Sequence, residues 1–520
     1  MSQRDMSGGN THDTAEPSAS TDEPDAEEYS RRGFMETAGA MGAAGATAGL
    51  AGCVGGDDTE GTGEGDFLWW TMRGYIQSEE QALRDTAAEF ENWSDEEVNL
   101  TTEVITWDQV FESWASAIQG QNTPNVSEMA NEHAVDYGSR GVVRPNTELF
   151  NEYDDWYDTP SYWGNYDGEV WGFPWFVEVR NFYANTDILE DAGHDSIPET
   201  WEELVDTATD VESETDKTGF VSAGSQSTGT GQVLYGAAVQ AGGEFYGYED
   251  DQWTVELDSP TSLFAHLWMA SMQEEWEIGP GGWAGMDGTD AEQLYREGEA
   301  AFMINSGDAA NNMIDEGDAV ADSTSLELIP EGPMGTNTAF MGGSCLSAFE
   351  SDFTQHNVED GLSMSFIEYM TSPDTMEGYY PDATPNFLPV REAQEELPPF
   401  TENPTDIPDE WIQNRLDQAS DSARYGITGP QRNAPFLGDL EGTTDAYSVA
   451  ISGILGANHD PKEALVDLAN DVRSTISESD AVDYELEQSD EQPSLDDAPD
   501  ELQDWIDGSD GTPQIWDPYE

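Results

Sequence analysis

The sequence predicts an α/β fold of two lobes, and three observations carry that expectation. The chain has 520 residues, enough for two sizeable lobes plus tails. From Phe67 onward, apolar runs of strand character alternate with segments of helical period, the order that builds a sheet with crossover helices. A long aromatic stretch from Gly168 to Gly193, GEVWGFPWFVEVRNFYANTDILEDAG, then separates this series from a second one.

Phe67-Leu68-Trp69-Trp70 reads as a buried strand. Ser78 to Gln81 has the form of a capping box, opening a helix with Leu83, Ala87 and Phe90 on one face. Val98 to Ile105 alternates as a strand. Thr106 to Gln109 is a second capping box, followed by Trp107, Val110, Phe111, Trp114, Ala117 and Ile118 at helical spacing. Asn131-Glu132-His133 would open at the sheet's carboxyl edge, where such folds bind ligands. In the aromatic stretch, Val170 to Phe173 reads as a strand broken by Pro174, and Phe176 to Tyr183 as its extended resumption. Glu178 is the one carboxylate there. Burying it alone is costly, so it needs a cation such as Arg180 or Arg391, or a polar cavity.

Asn185-Thr186-Asp187 opens a short helix that Gly193 ends. Thr200 to Leu204 is another capping box. Gly219 to Gly231 reads as a Gly/Ser/Thr-rich loop before an apolar helix. His356 to Ser372 would be a helix. Asp460 caps a last helix whose Ala464, Leu465, Leu468, Ala469 and Val472 face inward. The acidic tail after Ser477 is expected to be loose, with Leu502, Trp505 and Ile506 as the residues able to dock.

The formal net charge is −93, from 109 acidic residues against 16 basic ones. Acids run through the periodic, aromatic-rich segments as well as the tails, so disorder does not account for them. Such self-repulsion opposes compaction in dilute buffer and is screened in molar salt. The composition resembles that of haloarchaeal secreted proteins. With nothing basic clustered to neutralise phosphates, nucleic acid is excluded as a partner. Two cysteines build no disulfide framework; Cys345 is expected to be a small buried residue.

Within the aromatic stretch, Gly172, Pro174, Tyr183, Asn185, Asp187, Ile188, Leu189, Ala192 and Gly193 follow the order "G-x-P" then "Y-N-x-D-ΦΦ-x-x-A-G" (Φ apolar), with Ala184 intervening. This resembles the extracellular solute-binding proteins of sugar ABC transporters, the maltose-binding-protein-like group. Further matches run from Asp66 to Ile476. They include Thr123 to Met129, resembling the family's short strand, Pro198 with Thr200-Trp201, the run Tyr295 to Asn305, resembling its helix-turn-strand, Leu326 to Phe349, resembling its return crossover and strand, Ser372-Pro373, and Phe387 to Arg391. The resemblance implies a two-lobed, periplasmic-binding-protein-like fold (type II) with a hinge and an interlobe ligand cleft. It places lobe 1 at 66–178 and 333–375, lobe 2 at 179–332 and 376–476, and an acidic tail at 477–520. Residues 1–52, with Arg31-Arg32 and a Gly/Ala run, resemble a twin-arginine signal joined to a lipobox. That implies export by the Tat route, removal of 1–52, a lipid on Cys53, and a linker over 53–65.

A sugar site uses aromatic rings against C–H faces and carboxylate, amide or guanidinium groups on hydroxyls. The candidates are the loop or strand-end aromatics Trp70, Trp175, Trp283 and Tyr380 and the polar groups Arg73, Glu132, Glu178, Asn305 and Asp308, with Gly342-Gly343 either letting backbone approach the ligand at Gly343 or marking a bulge. Where the family often stacks a tryptophan after the 295–305 strand, this chain has Ser306-Gly307-Asp308, and Trp283 is the substitute. Six scattered histidines give no metal-ligand spacing, and neither a G-x-S-x-G elbow nor a P-loop occurs. A carboxylate pair for glycoside hydrolysis is unconstrained in so acidic a chain. The expectation is a monomeric binding protein, without cofactor, that delivers a sugar to an ABC permease. Glycerol phosphate or an anionic sugar is the alternative that the acidic field disfavours.

Overall fold

The structure is a computed structural model that describes residues 66–508 apart from 74–75, 95, 357, 359–360, 425–432 and 444–445. The chain divides into two units, Met1–Gly61 and Thr62–Glu520, and every described residue belongs to the second. Arg31, Arg32 and Cys53 lie outside the described residues.

The first series gives β1 (Asp66–Thr71), α1 (Gln77–Ala88), β2 (Asn99–Val104), α2 (Trp107–Gly120), β3 (Val126–Met129) and α3 (Asn131–Ser139). β1 pairs in parallel with both β2 and β3. Successive β1 residues feed opposite sides of the sheet. Phe67 and Trp69 join one cluster with Phe90, Trp175 and Phe366, while Leu68 and Trp70 join another with Val110, Trp114 and Cys345. Both faces are covered, as parallel strands require. Two expected capping boxes are not formed. α1 begins two residues early with Ile76 at its N-cap, and Thr106 caps α2 by backbone conformation without a side-chain hydrogen bond.

The aromatic stretch becomes β4 (Phe173–Val179) and β5 (Asn181–Asn185), with Arg180 between them. Pro174 does not break the strand. It lies inside β4, opposite the point where the pairing partner shifts register between Ser344 and Cys345, so the irregular ladder absorbs the missing N–H. Asn185 Oδ1 accepts the Ile188 N–H at 3.3 Å and Gly193 ends the helix at φ 94°, as the sequence predicts.

The second series gives α4 (Thr186–Ala192), α5 (Trp201–Glu214), β6 (Thr218–Val221), α6 (Thr228–Gln240), α7 (Pro260–Glu274), β7 (Ala300–Asn305), α8 (Asp308–Glu316) and β8 (Thr324–Glu327). The expected 219–231 loop is therefore shorter, since its ends are taken up by β6 and α6. These strands form a second sheet in the order β8-β5-β7-β6. The chain then returns through β9 (Ala339–Ala348), which pairs antiparallel with β3 and β4 in the first sheet. A helix over Leu362–Thr371, α9, covers that sheet.

Residues 379–397, expected in the second lobe, pack instead in the first-lobe core. Tyr379, Tyr380, Ala383, Phe387 and Leu397 cluster with Phe67, Trp69 and Phe366. The buried apolar side chains decide this placement, and a family boundary at 375/376 does not mark it. The tail is not loose throughout. Leu495, Ala498, Leu502 and Ile506 are buried against the second-lobe core, and Trp505 meets Trp201 edge-on at 6.4 Å.

A further helix, α10 (Asp409–Ser420), carries Arg415 to the place where the two sheets join. This side chain is fully buried. It donates to the carbonyls of Val179 and Pro385 and to Asn181 Oδ1 (3.0 Å), tying the end of β4, the start of β5 and the 384–390 segment to one group.

Candidate functional site

Two groups of buried charge stand where the two lobes meet. The first centres on Arg73, which the chain places at the carboxyl end of β1. Its Nε lies 3.4 Å from Glu128 Oε1 and 3.8 Å from Glu79 Oε1, and its Nη1 lies 3.8 Å from Asp308 Oδ1. The guanidinium sits 5.1 Å from the Phe176 ring centroid and 5.7 Å from that of Phe387. Glu128, Glu79 and Arg73 come from the first sheet and its helix. Asp308 opens α8 in the second lobe, so this is a contact across the cleft.

The carboxylates are not equivalent. Glu128 accepts from Thr71 Oγ1 (2.8 Å), the Met72 N–H (2.8 Å) and Ser344 Oγ (2.7 Å), which fixes it in place. Glu79 and Asp308 lack the set of donors that holds Glu128, and the buried Asn386 carboxamide stands beside Glu79. Burial pushes the Glu79 carboxyl well above its ordinary range, against the pull of Arg73. The folded state thus holds this proton more tightly than the unfolded chain. Stability is lost as pH rises through and beyond the ordinary value of about 4.5. Glu79→Gln, neutral at every pH, should raise Tm by a few degrees at pH 8, with the gain vanishing toward pH 4. A Tm difference constant across that range would contradict this account.

The second group centres on Glu132, the second residue of α3. Burial would raise its carboxyl, but Arg424 outweighs burial and holds it low. Arg424 Nε donates to Glu132 Oε1 at 2.5 Å, its Nη2 reaches the other oxygen, and Glu441 stands 3.6 Å away. The same guanidinium lies 5.5 Å from the Phe340 ring centroid and 5.9 Å from that of Trp163. Trp163 is fully buried, and its indole N–H has no hydrogen-bond partner. Its ring rests on Gly343, whose φ is 144°. A Cβ there would stand 2.2 Å from the Phe176 carbonyl and 2.5 Å from the Trp163 ring, so only glycine fits. Gly343 thus serves close packing of β9 on β4 and Trp163.

Glu178 stands between the two groups on β4. Its Oε1 accepts from Arg180 Nη1 at 2.5 Å, and Arg180 also reaches Gln232 Oε1. Arg391 is not its partner. It is buried over the Tyr153 ring at 3.9 Å, with Asp155 at 3.6 Å.

The expected aromatics are placed differently. Trp70, Trp175, Trp283 and Tyr380 are in the lobe cores, not at the cleft edge. Trp70 bonds Glu103 Oε2 (2.9 Å), Trp175 bonds the Tyr379 hydroxyl (2.8 Å), and Trp283 bonds the Ser222 carbonyl (2.7 Å). Tyr380 lies fully buried among Tyr379, Phe387 and Phe400. In each case the apolar ring area outweighs the pull of a nearby cleft, and three of them find an acceptor inside. Asn305 shapes the turn before α8, donating to the Gly288 carbonyl and accepting from the Ser306 N–H. Cys345 is buried, and burial pushes its thiol up to about 12.

Sequence reasoning missed Glu79, Glu128, Trp163, Asn386, Arg424 and Glu441. Glu128 carried the same signal as Glu178, a carboxylate inside a short apolar strand. Arg424 carried scarcity, being one of few basic residues in the chain.

A family profile described as bacterial extracellular solute-binding protein matches residues 85–408. A Brucella abortus protein named only as a binding protein is 22% identical over 379 residues, 72% of this chain and 84% of that one. The diacetylchitobiose binding protein DasA of Streptomyces coelicolor is 26% identical over 232 residues, 42% of this chain and 52% of that one. Among solved structures, the sugar transporter from Arthrobacter chlorophenolicus with bound laminaribiose superposes with a TM-score of 0.67 at 17% identity, covering 79% of this chain and 99% of that one. Maltose-bound MalE3 of T. maritima gives 0.66 at 18% identity, with the same coverage of 79% and 99%.

Proposed function

The chain belongs to the bacterial extracellular solute-binding protein family, and on that premise we propose that it captures a mono- or oligosaccharide in the interlobe cleft and delivers it to the permease of an ABC importer. A set of ion pairs at the meeting of the lobes supports this reading. Carboxylates and guanidinium groups are held in pairs beside aromatic rings: Glu132–Arg424 at Trp163 and Phe340, Glu178–Arg180, and Arg73–Asp308 at Phe176. Such pairs accept and donate to hydroxyls while the rings take C–H faces. The sugar-related names among its relatives support the same reading. Ligand bridging both lobes would favour the closed state. A phosphorylated or anionic solute is the weaker alternative, because carboxylates outnumber cations around Arg73 and Arg424. Hydrolysis by a carboxylate pair is weaker still in a family of binding proteins.

A thermal-shift screen of mono- and oligosaccharides in molar KCl tests this reading, since a ligand that binds only the native state raises Tm. With the sugar found, Glu178→Gln should lower affinity roughly ten- to a hundredfold by removing the charge-assisted part of its hydrogen bonds. If Glu178 serves Arg180 alone, the variant instead lowers Tm and leaves affinity unchanged.

Export by the Tat route through Arg31 and Arg32, and a lipid on Cys53, belong to the same proposal. Among the described residues no helix is long and apolar enough to cross a membrane. Cys53→Ser should therefore move the protein from the membrane to the soluble fraction with sugar binding intact, and continued sedimentation with membranes would refute the anchor.

A further inference from the structure

The helix α8 touches both lobes, and its two faces differ in kind. Ala309, Ala310 and Met313 are buried in the second-lobe core with Tyr183, Met303 and Trp411. Residues 308, 311 and 315, three and four apart and so on one side of the helix, meet the first lobe instead. Asp308 Oδ1 lies 3.8 Å from Arg73 Nη1. Asn311 Nδ2 donates to the carbonyls of Thr384 (2.8 Å) and Asp382 (3.3 Å), on the segment whose Tyr380, Ala383 and Phe387 belong to the first-lobe core. Asp315 accepts from the hydroxyl of Ser78 on α1. At the start of the helix a Cβ on Gly307 would stand 2.7 Å from the Asn386 Cα, so the two backbones nearly touch. We propose that this face of α8 is a latch between the lobes, centred on Asn311, that holds a share of the solute-free protein closed. This rests on the hinge closure proposed above but not on the identity of the solute.

The side-chain contacts on this face are all polar. An apolar face would gain from burial over its whole area and stay shut. Here each bond is exchanged for one to water when the lobes part, at a small net cost. Interfaces between parts that move relative to one another are of this polar kind. The latch thus favours closure without fixing it, and a solute that binds only the closed form adds to an equilibrium already near balance. Asn311 is its strongest member. It is buried, and both of its acceptors are main-chain carbonyls beside residues of the first-lobe core. The Arg73–Asp308 pair is looser, at 3.8 Å, and Asp315 is exposed.

The test measures the separation of two spin labels by electron paramagnetic resonance, on the full chain in molar KCl without solute. The labels go on Glu368→Cys in the first lobe and Glu274→Cys in the second, both exposed positions. Cys53→Ser removes one competing thiol, and burial keeps Cys345 from the label. The parent should show a closed population beside a wider one. Asn311→Ala, which removes both bonds to the first lobe, should lower the closed-to-open ratio about three- to tenfold. Ser78→Ala should lower it by a smaller factor, and this change near the surface decides the matter if Asn311→Ala fails to fold. A merely structural Asn311 would lower Tm and leave the label separations as they were. A parent with no closed population, or a ratio unchanged in the variants, overturns the latch. With a sugar in hand, affinity for Asn311→Ala should fall by the factor by which the closed fraction falls. If no saccharide binds, the saccharide reading fails, while the label separations still decide for or against the latch.

Discussion

On dialysis from molar KCl into dilute buffer, the protein is expected to lose its near-UV circular dichroism, and to regain it when salt is restored. The argument starts from a formal charge of −93. Lys462 apart, the described cations can each be assigned a partner. Arg73, Arg84, Arg140, Arg144, Arg180, Lys217, Arg296, Arg391, Arg424 and Arg473 each stand within ion-pair distance of a carboxylate. Arg415 is spent on backbone carbonyls and one amide at the hinge. With 109 acidic residues against 16 basic ones, most carboxylates must be screened by solvent ions. The Debye length is about 3 Å at 1 M salt and about 10 Å at 0.1 M, longer than the spacing of acids on these helices. Stability amounts to only about 5–15 kcal/mol in a typical domain, so unscreened repulsion summed over the surface is enough to reverse it. A near-UV spectrum unchanged in dilute buffer would show that local packing overrides the charge, and the halophile reading would fall.

What was legible in the sequence, and what was not, follows from the range of the forces involved. Strands and helices showed because their periods are local. Phe67 to Trp70, Val98 to Ile105 and Asp460 to Val472 announce themselves within a few residues. Cap residues that bond three positions on, Asn185, Thr200 and Asp460, were equally visible, and their side chains do accept those N–H groups. Ser78 failed because α1 starts at Gln77, and its hydroxyl turns to Asp315 of α8. Pairings between distant segments left no local trace. Arg424 meets Glu132 across 292 residues, and Ser344 meets Glu128 across 216. The aromatics misled for a related reason. A tryptophan beside glycines reads as a loop residue, yet other glycines, Gly224 and Gly279, let the Trp283 ring sink inward. Trp163 lies against Gly343, and that glycine was named for the approach of a ligand when it serves the approach of a ring.

Trp283→Ala separates these two readings of an aromatic side chain. The structure gives this residue no exposure, an indole N–H bonded to the Ser222 carbonyl at 2.7 Å, and an edge contact with Phe220 at 6.0 Å. Gly224 and Gly279 press so close that a Cβ on either would stand 2.4 Å and 2.8 Å from the ring. Truncation therefore opens a cavity that two glycines cannot fill, and it strands a buried carbonyl. The expected cost is about 3–5 kcal/mol of stability, as for a tryptophan removed from a packed core, and stranding the carbonyl pushes the value to the upper end of that range. Denaturant unfolding in the same molar salt reads this directly. Sugar affinity in the fraction that remains folded should match the parent, because the ring lies beneath β6 and not in the cleft. A variant that unfolds like the parent but loses sugar binding at least tenfold would return Trp283 to the cleft edge.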